Sequence, residues 1–248
     1  MGGNNAIPVL GKHKEVKTMY RKFIEDLKKF ESLGVEVLDD GTRLIGKAPF
    51  IAPLARVHLL YAGIYDGEID YLESQVGCKF PNSLRLFFQC FNGLMLFNCV
   101  SVYGLRKNNE RSIDSTWQPF DFIFYNNEEK LPGLPNDMVV IGGYRWNGSK
   151  LCLNLKTEEV IFSSTDSYKE LMKWSSLEEM LGSELNRLSN RHTKEGKNIP
   201  YRPTVPMGGK EELEKRLNKT KRKKPYWYDE TIEFMKKNNY SIEGLLNL

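Results

Sequence analysis

The sequence predicts a mixed fold of helices and strands. Two patterns carry the prediction. Apolar residues recur at helical spacing around residues 14–33, 68–76, 82–91 and 176–188. Between these stretches lie short apolar runs that alternate with polar residues or end on turn residues, as hairpin strands do. The chain has 248 residues, of which 40% are hydrophobic, enough for a sizeable core. Three segments are expected: 1–66, an extension with a helix and a hairpin packed on the rest; 67–190, the main domain; and 191–248, a linker and a basic helical segment.

The elements follow in order. In 14–33, Tyr20, Phe23, Ile24, Leu27 and Phe30 line one helical face, and Gly34 can end the helix. Asp40-Gly41 between apolar runs signals a hairpin turn, because both residues tolerate positive φ. Pro49 and Pro53 then break the pattern, and 55–64 reads equally as helix or strand. Ile69, Leu72 and Val76 share a helical face. Phe80-Pro81 is extended, since the residue before a proline avoids the helical region. Asn82 or Ser83 can cap a helix whose buried face is Leu84, Phe87, Phe88 and Phe91, ended by Asn92-Gly93.

Residues 99–103 read as a strand and 107–118 as a loop. Residues 120–125 are ambiguous between strand and helix. A buried strand at 138–141 precedes Gly142-Gly143, read as turn geometry. Leu151, Leu153 and Leu155 alternate with polar or small residues, so one face of this strand is core. It turns at Thr157-Glu158 into 160–162. Ser176 and Glu179 form a capping box for the last helix, with Leu177, Leu181, Leu185 and Leu188 inward.

The order of these pieces resembles the SMI1/KNR4 family, also called the SUKH superfamily. The pieces are the Phe80-Pro81 entry, the aromatic helix, Asn92-Gly93, Ile141-Gly142, the hairpin over 151–162 and the Ser176-capped helix. The resemblance covers 69–188. It implies an α+β fold, with a central mostly antiparallel sheet and helices packed on it. It implies binding rather than catalysis: many bacterial members are immunity proteins that block cognate toxins, frequently nucleases. The expected partner is therefore a cognate protein toxin. Immunity members are often acidic, whereas this chain has 36 basic and 32 acidic residues and a net charge of +4.

The residues themselves point to no reaction. His13, His58 and His192 lie in separate segments without metal-ligand spacing. There is no nucleophile turn and no phosphate-binding loop. The adjacent carboxylates at 39–40, 128–129, 158–159 and 178–179 fall at turns and helix starts, where solvation and the helix dipole favour them. No cofactor and no metal are expected. Cys78, Cys90, Cys99 and Cys152 form no Cys-x-x-Cys pair and read as buried thiols in a reducing compartment, the cytoplasm. No membrane span is expected, and residues 1–10 lack the pattern of a secretory signal.

Two surfaces are candidates for partners. Tyr144, Arg145, Trp146 and Asn147 lie between two strands, at an expected exposed tip, and Tyr, Arg and Trp are the types that most often anchor interfaces. The alternative folds Tyr144 and Trp146 back onto the core. Trp117 in its polar loop is a similar candidate. The second surface is the basic run Lys219, Lys221, Arg222, Lys223 and Lys224 beside Trp227, which suits nucleic acid: cations contact phosphates and aromatics stack on bases.

Overall fold

The computed structural model describes residues 20–108, 114–145 and 147–199. Its centre is a sheet of nine strands in sequential order, β1 to β9, every neighbouring pair antiparallel. Helix α1 (Arg21–Lys28) and a short 3-10 turn lead into β1 (Val35–Val37), β2 (Arg43–Lys47) and β3 (Arg56–Ala62). Helices α2 (Asp66–Val76) and α3 (Asn82–Cys90) follow, then β4 (Phe91–Leu96) and β5 (Val100–Val102). Helix α4 (Phe122–Asn127) lies in the connection to β6 (Met138–Tyr144), β7 (Lys150–Asn154), β8 (Val160–Ser163) and β9 (Glu170–Trp174). Helix α5 (Leu177–Ser189) follows. This is the expected α+β architecture, a central antiparallel sheet with helices packed on it.

The five helices of the described residues all contribute to one core, among them Phe23, Ile69, Phe87, Phe122 and Leu181. A smaller cluster, Leu44, Leu59, Tyr61 and Met95, gathers Leu38 and Trp117. In their strands these residues alternate with the core residues Ile45, Leu60 and Leu94, so the smaller cluster lies on the opposite face of the sheet. Being buried on both faces explains why 55–64 gave no alternation: six of the seven β3 residues are buried.

Several local expectations change. The α3 helix ends at Cys90 and passes directly into β4, so Asn92-Gly93 lies in a strand and does not end the helix. The Asn92 amide bonds the backbone of Leu105 in both directions, at 2.6 and 2.8 Å. Gly93 has φ 81°, and a Cβ there would stand 2.6 Å from the Val102 carbonyl oxygen, so close strand approach requires glycine. Gly142-Gly143 is likewise strand, not turn: a Cβ at 142 would meet the Ser101 carbonyl oxygen at 2.3 Å. Neither Asn82 nor Ser83 caps α3, because Pro81 occupies the cap position. The Ser176 cap holds, with Ser176 Oγ accepting from Glu179 N at 3.1 Å. Glu179 reaches back one residue further than a simple capping box, to Ser175 N at 2.7 Å. Strand β9 had no reading in the sequence, since its burial is partial and irregular.

Candidate functional site

Arg145 lies at the centre of the site. It follows β6, its side chain is exposed, and its backbone N–H donates to the Cys99 carbonyl at 2.8 Å. The guanidinium is held by Asn98 Oδ1 and rests 3.5 Å from Met95 Sδ, on the edge of the smaller apolar cluster. Beside it opens a cleft of about 560 Å³, walled by Phe50 and Ile51 from the β2–β3 connection and by His192, Lys197 and Asn198 beyond α5. The cleft floor is the β4–β5 turn, residues Phe97, Asn98 and Cys99.

That turn is strained. Phe97 (φ 51°) and Asn98 (φ 53°) both adopt the left-handed conformation, and Cys99 N–H donates to the Leu96 carbonyl at 2.9 Å. A two-residue hairpin turn of this kind prefers Asn-Gly, and a left-handed phenylalanine costs about 1–2 kcal/mol. Ring packing offsets the cost. Phe97 is buried, with its ring centroid 4.3 Å from His192, 4.5 Å from His58 and 5.2 Å from Phe30. The strain persists because three elements surround the turn, and it aims Asn98 at Arg145 and Cys99 at His192.

His192 is fixed on two sides. Its Nδ1 lies 2.7 Å from the Leu188 carbonyl oxygen and its Nε2 lies 3.8 Å from Cys99 Sγ. Burial, with Arg187 and Arg191 nearby, lowers its pKa, so the ring is neutral near pH 7. A carbonyl can only accept, so Nδ1 carries the proton and Nε2 presents a lone pair to the thiol. The 191–199 segment is locked by an isolated bridge, His192 with Asn198, and by Gly196, where a Cβ would stand 2.5 Å from Val57 Cγ2.

The cleft is cationic. Arg145 and Lys197 are exposed, no Asp or Glu lines the cleft, and among the described residues neither cation is in a salt bridge, Glu195 acting on Lys197 only through its charge. Lys197 Nζ sits 5.5 Å from the centroid of Phe50, and Phe50 and Ile51 are 43% and 47% exposed, so charge and apolar surface adjoin.

The expected tip divides. Arg145 is exposed, but Tyr144 is buried, packed on Phe162 at 5.4 Å beneath the Arg187 guanidinium, and cannot reach a partner. It is the last residue of β6, a strand buried along its whole length. Asn147 shapes the turn, its Oδ1 accepting from Ser149 N at 3.1 Å and from Ser149 Oγ at 2.6 Å. Trp117 is half-buried over the smaller cluster, 5.7 Å from the Arg56 guanidinium, and does not line the cleft. Trp146 lies outside the described residues, as do His13 and the basic run Lys219, Lys221, Arg222, Lys223, Lys224 with Trp227. Sequence reasoning missed Phe50, Ile51, Phe97, Asn98, Cys99 and Lys197. The only signal for the first two was a Phe-Ile pair standing between Pro49 and Pro53.

The thiols also differ from expectation. Only Cys152 is buried, where burial pushes its pKa up to about 12; Cys78, Cys90 and Cys99 are half-buried, and no disulfide joins them. Among the described residues no group of His, Cys, Asp and Glu is arranged to hold a metal. Among them no helix is long and apolar enough to cross a membrane.

No curated protein matches the chain. Residues 63–183 match the family model described as SMI1 / KNR4 family (SUKH-1). Those residues carry eleven basic and sixteen acidic side chains, a net charge of −5, so the chain's positive balance arises outside them. Phe97, Asn98, Cys99 and Arg145 fall inside the match, whereas Phe50, Ile51 and the 192–198 segment flank it, so the cleft is built where the flanks meet the domain. Residues 63–183 are thus a domain of the SMI1/KNR4 family (SUKH-1).

Proposed function

We propose that this chain is a non-catalytic protein-binding module of the immunity type, which binds and neutralises a cognate protein toxin in the cytoplasm. The observation that carries the reading is the cleft beside Arg145: two exposed cations, no lining carboxylate, and exposed Phe50 and Ile51 at its wall. A protein segment with an apolar side chain flanked by carboxylates complements it. Arg145 is the main anchor, because arginine offers several donors in a fixed fork and its guanidinium already rests against Met95 at the edge of the smaller apolar cluster. Blocking would be steric, through a surface that the strained turn and the His192 stack organise before binding.

The test has two stages. The tagged full-length protein is captured from its host lysate with and without nuclease treatment, and the partner is identified and purified. Its affinity is then measured for the wild type and for Arg145→Ala by calorimetry. A stoichiometric protein that survives nuclease and loses affinity for the variant supports the reading. A partner that binds both proteins equally removes the cleft from the function. A partner lost on nuclease treatment turns the reading to nucleic acid held by the basic run at 219–224.

A further inference from the structure

We infer that Cys99 and His192 form a reactive thiol–imidazole pair, and that the cleft admits small anionic disulfides to exchange with it. Three observations meet here. The His192 Nε2 lone pair faces Cys99 Sγ at 3.8 Å, with the opposite ring nitrogen tied to the Leu188 carbonyl. Cys99 lines an open cleft of about 560 Å³, large enough for a small peptide thiol. Arg145 and Lys197 stand in the same lining and are positioned to attract carboxylates.

The step balances as a thiol–disulfide exchange. His192 Nε2 takes the proton from Cys99 Sγ. The thiolate attacks one sulfur of the incoming disulfide, the new S–S bond forms, and the old one breaks. The leaving thiolate takes the proton from His192, so one protein thiol and one disulfide yield one mixed disulfide and one free small thiol. The incoming disulfide is the oxidant, and no other is needed. The adduct would fill the cleft and set its carboxylates against Arg145 and Lys197. Cys152 cannot compete, because it is fully buried. Cys78 and Cys90 are half-buried but lie outside this lining.

Full-length protein is treated with dithiobis(nitrobenzoate), a dianion, and separately with neutral dipyridyl disulfide. Rates are followed by thiol release, and the modified cysteine is located by peptide mass spectrometry. Cys99 is expected to react first. Relative to a small reference thiol, it should prefer the dianion by about tenfold, a preference that added salt reduces. Arg145→Gln with Lys197→Gln, both at exposed positions, should erase that preference. His192→Gln should slow both reagents. Because His192 is buried, the pH–rate profile of the wild-type protein is a second reading that needs no variant. Reaction of Cys99 no faster than Cys78 and Cys90, or without charge preference, overturns the inference. The exchange needs no protein partner, so its failure leaves the binding reading untouched.

Discussion

Two charged regions of this molecule are built on opposite plans. Between α2 and α3 the charges close on themselves. Glu73 is buried, and its carboxylate accepts from Lys79 Nζ at 2.7 Å, Arg85 Nη1 at 2.8 Å and Phe80 N at 2.9 Å. Arg85 also reaches Asp70 at 2.9 Å. Around the cleft, Arg145 and Lys197 face solvent and form no salt bridge among the described residues. A buried carboxylate must be fully paired to offset its desolvation, so such a network holds helices together and offers a partner little. Exposed cations lose little by waiting in water and gain when a complementary surface arrives. Charge alone therefore does not mark a binding surface; unpaired charge beside exposed apolar rings does.

Breaking the closed network should have the largest effect. Glu73→Ala strands the Phe80 N–H and removes the shared partner of Lys79 and Arg85, at a cost of about 3 kcal/mol in urea unfolding. Partner affinity of the folded fraction should be unchanged. A loss below about 0.5 kcal/mol would show that the network is no more than a surface ion pair.

Acid should weaken the fold next. His58 is fully buried between Phe30 and Phe97, and burial, with His192 and Lys29 nearby, lowers its pKa from 6.5 to about 3. Below pH 6.5 the unfolded chain binds a proton that the fold excludes. The stabilisation is thus complete above pH 6.5 and falls as pH drops toward 3. Between pH 7 and pH 5 the loss is about 2 kcal/mol. The Glu73 carboxyl, whose burial raises its pKa but whose bonds to Lys79, Phe80 and Arg85 hold it below the ordinary 4.5, adds to the loss at lower pH. Urea midpoints at the two pH values test this, and His58→Leu should flatten the difference.

The open region should respond in binding and not in stability. Arg145→Ala is expected to weaken partner affinity by more than tenfold, about 1.5 kcal/mol, with the thermal midpoint held. Lys197→Ala at the rim is expected to cost a few-fold, about 0.5 kcal/mol, mostly as a slower and less salt-sensitive association. A fall in thermal stability for either variant would merge the two regions into one structural role and remove the contrast.

The legible parts of the sequence were those whose cause is local. Leu84, Phe87 and Phe88 share a face because helical geometry places them there, and all three are fully buried. Ser176 caps α5 because its oxygen reaches an N–H only three residues on. Asp40-Gly41 turned the first hairpin, with Gly41 at φ 90°. Misreadings arose where the same local signal has two uses. A glycine after an aromatic helix can end that helix or let two strands approach, and only the pairing of Leu94 with Val102 decides that Gly93 does the second. Tyr144 had the composition of an interface anchor, but it ends a strand buried throughout and packs on Phe162.

By itself, then, the sequence determined most of the helices, the hairpins around Asp40-Gly41 and Thr157-Glu158, and the family of the domain at 63–183, because periodicity, capping and turn chemistry act over a few residues. Only the tertiary structure decided that Phe50, Phe97, Arg145 and His192, from four distant segments, share one cleft. It also decided which charges are paired and which are open. Strand order and helix docking create those contacts, and their partners lie tens of residues apart, beyond the reach of any local pattern.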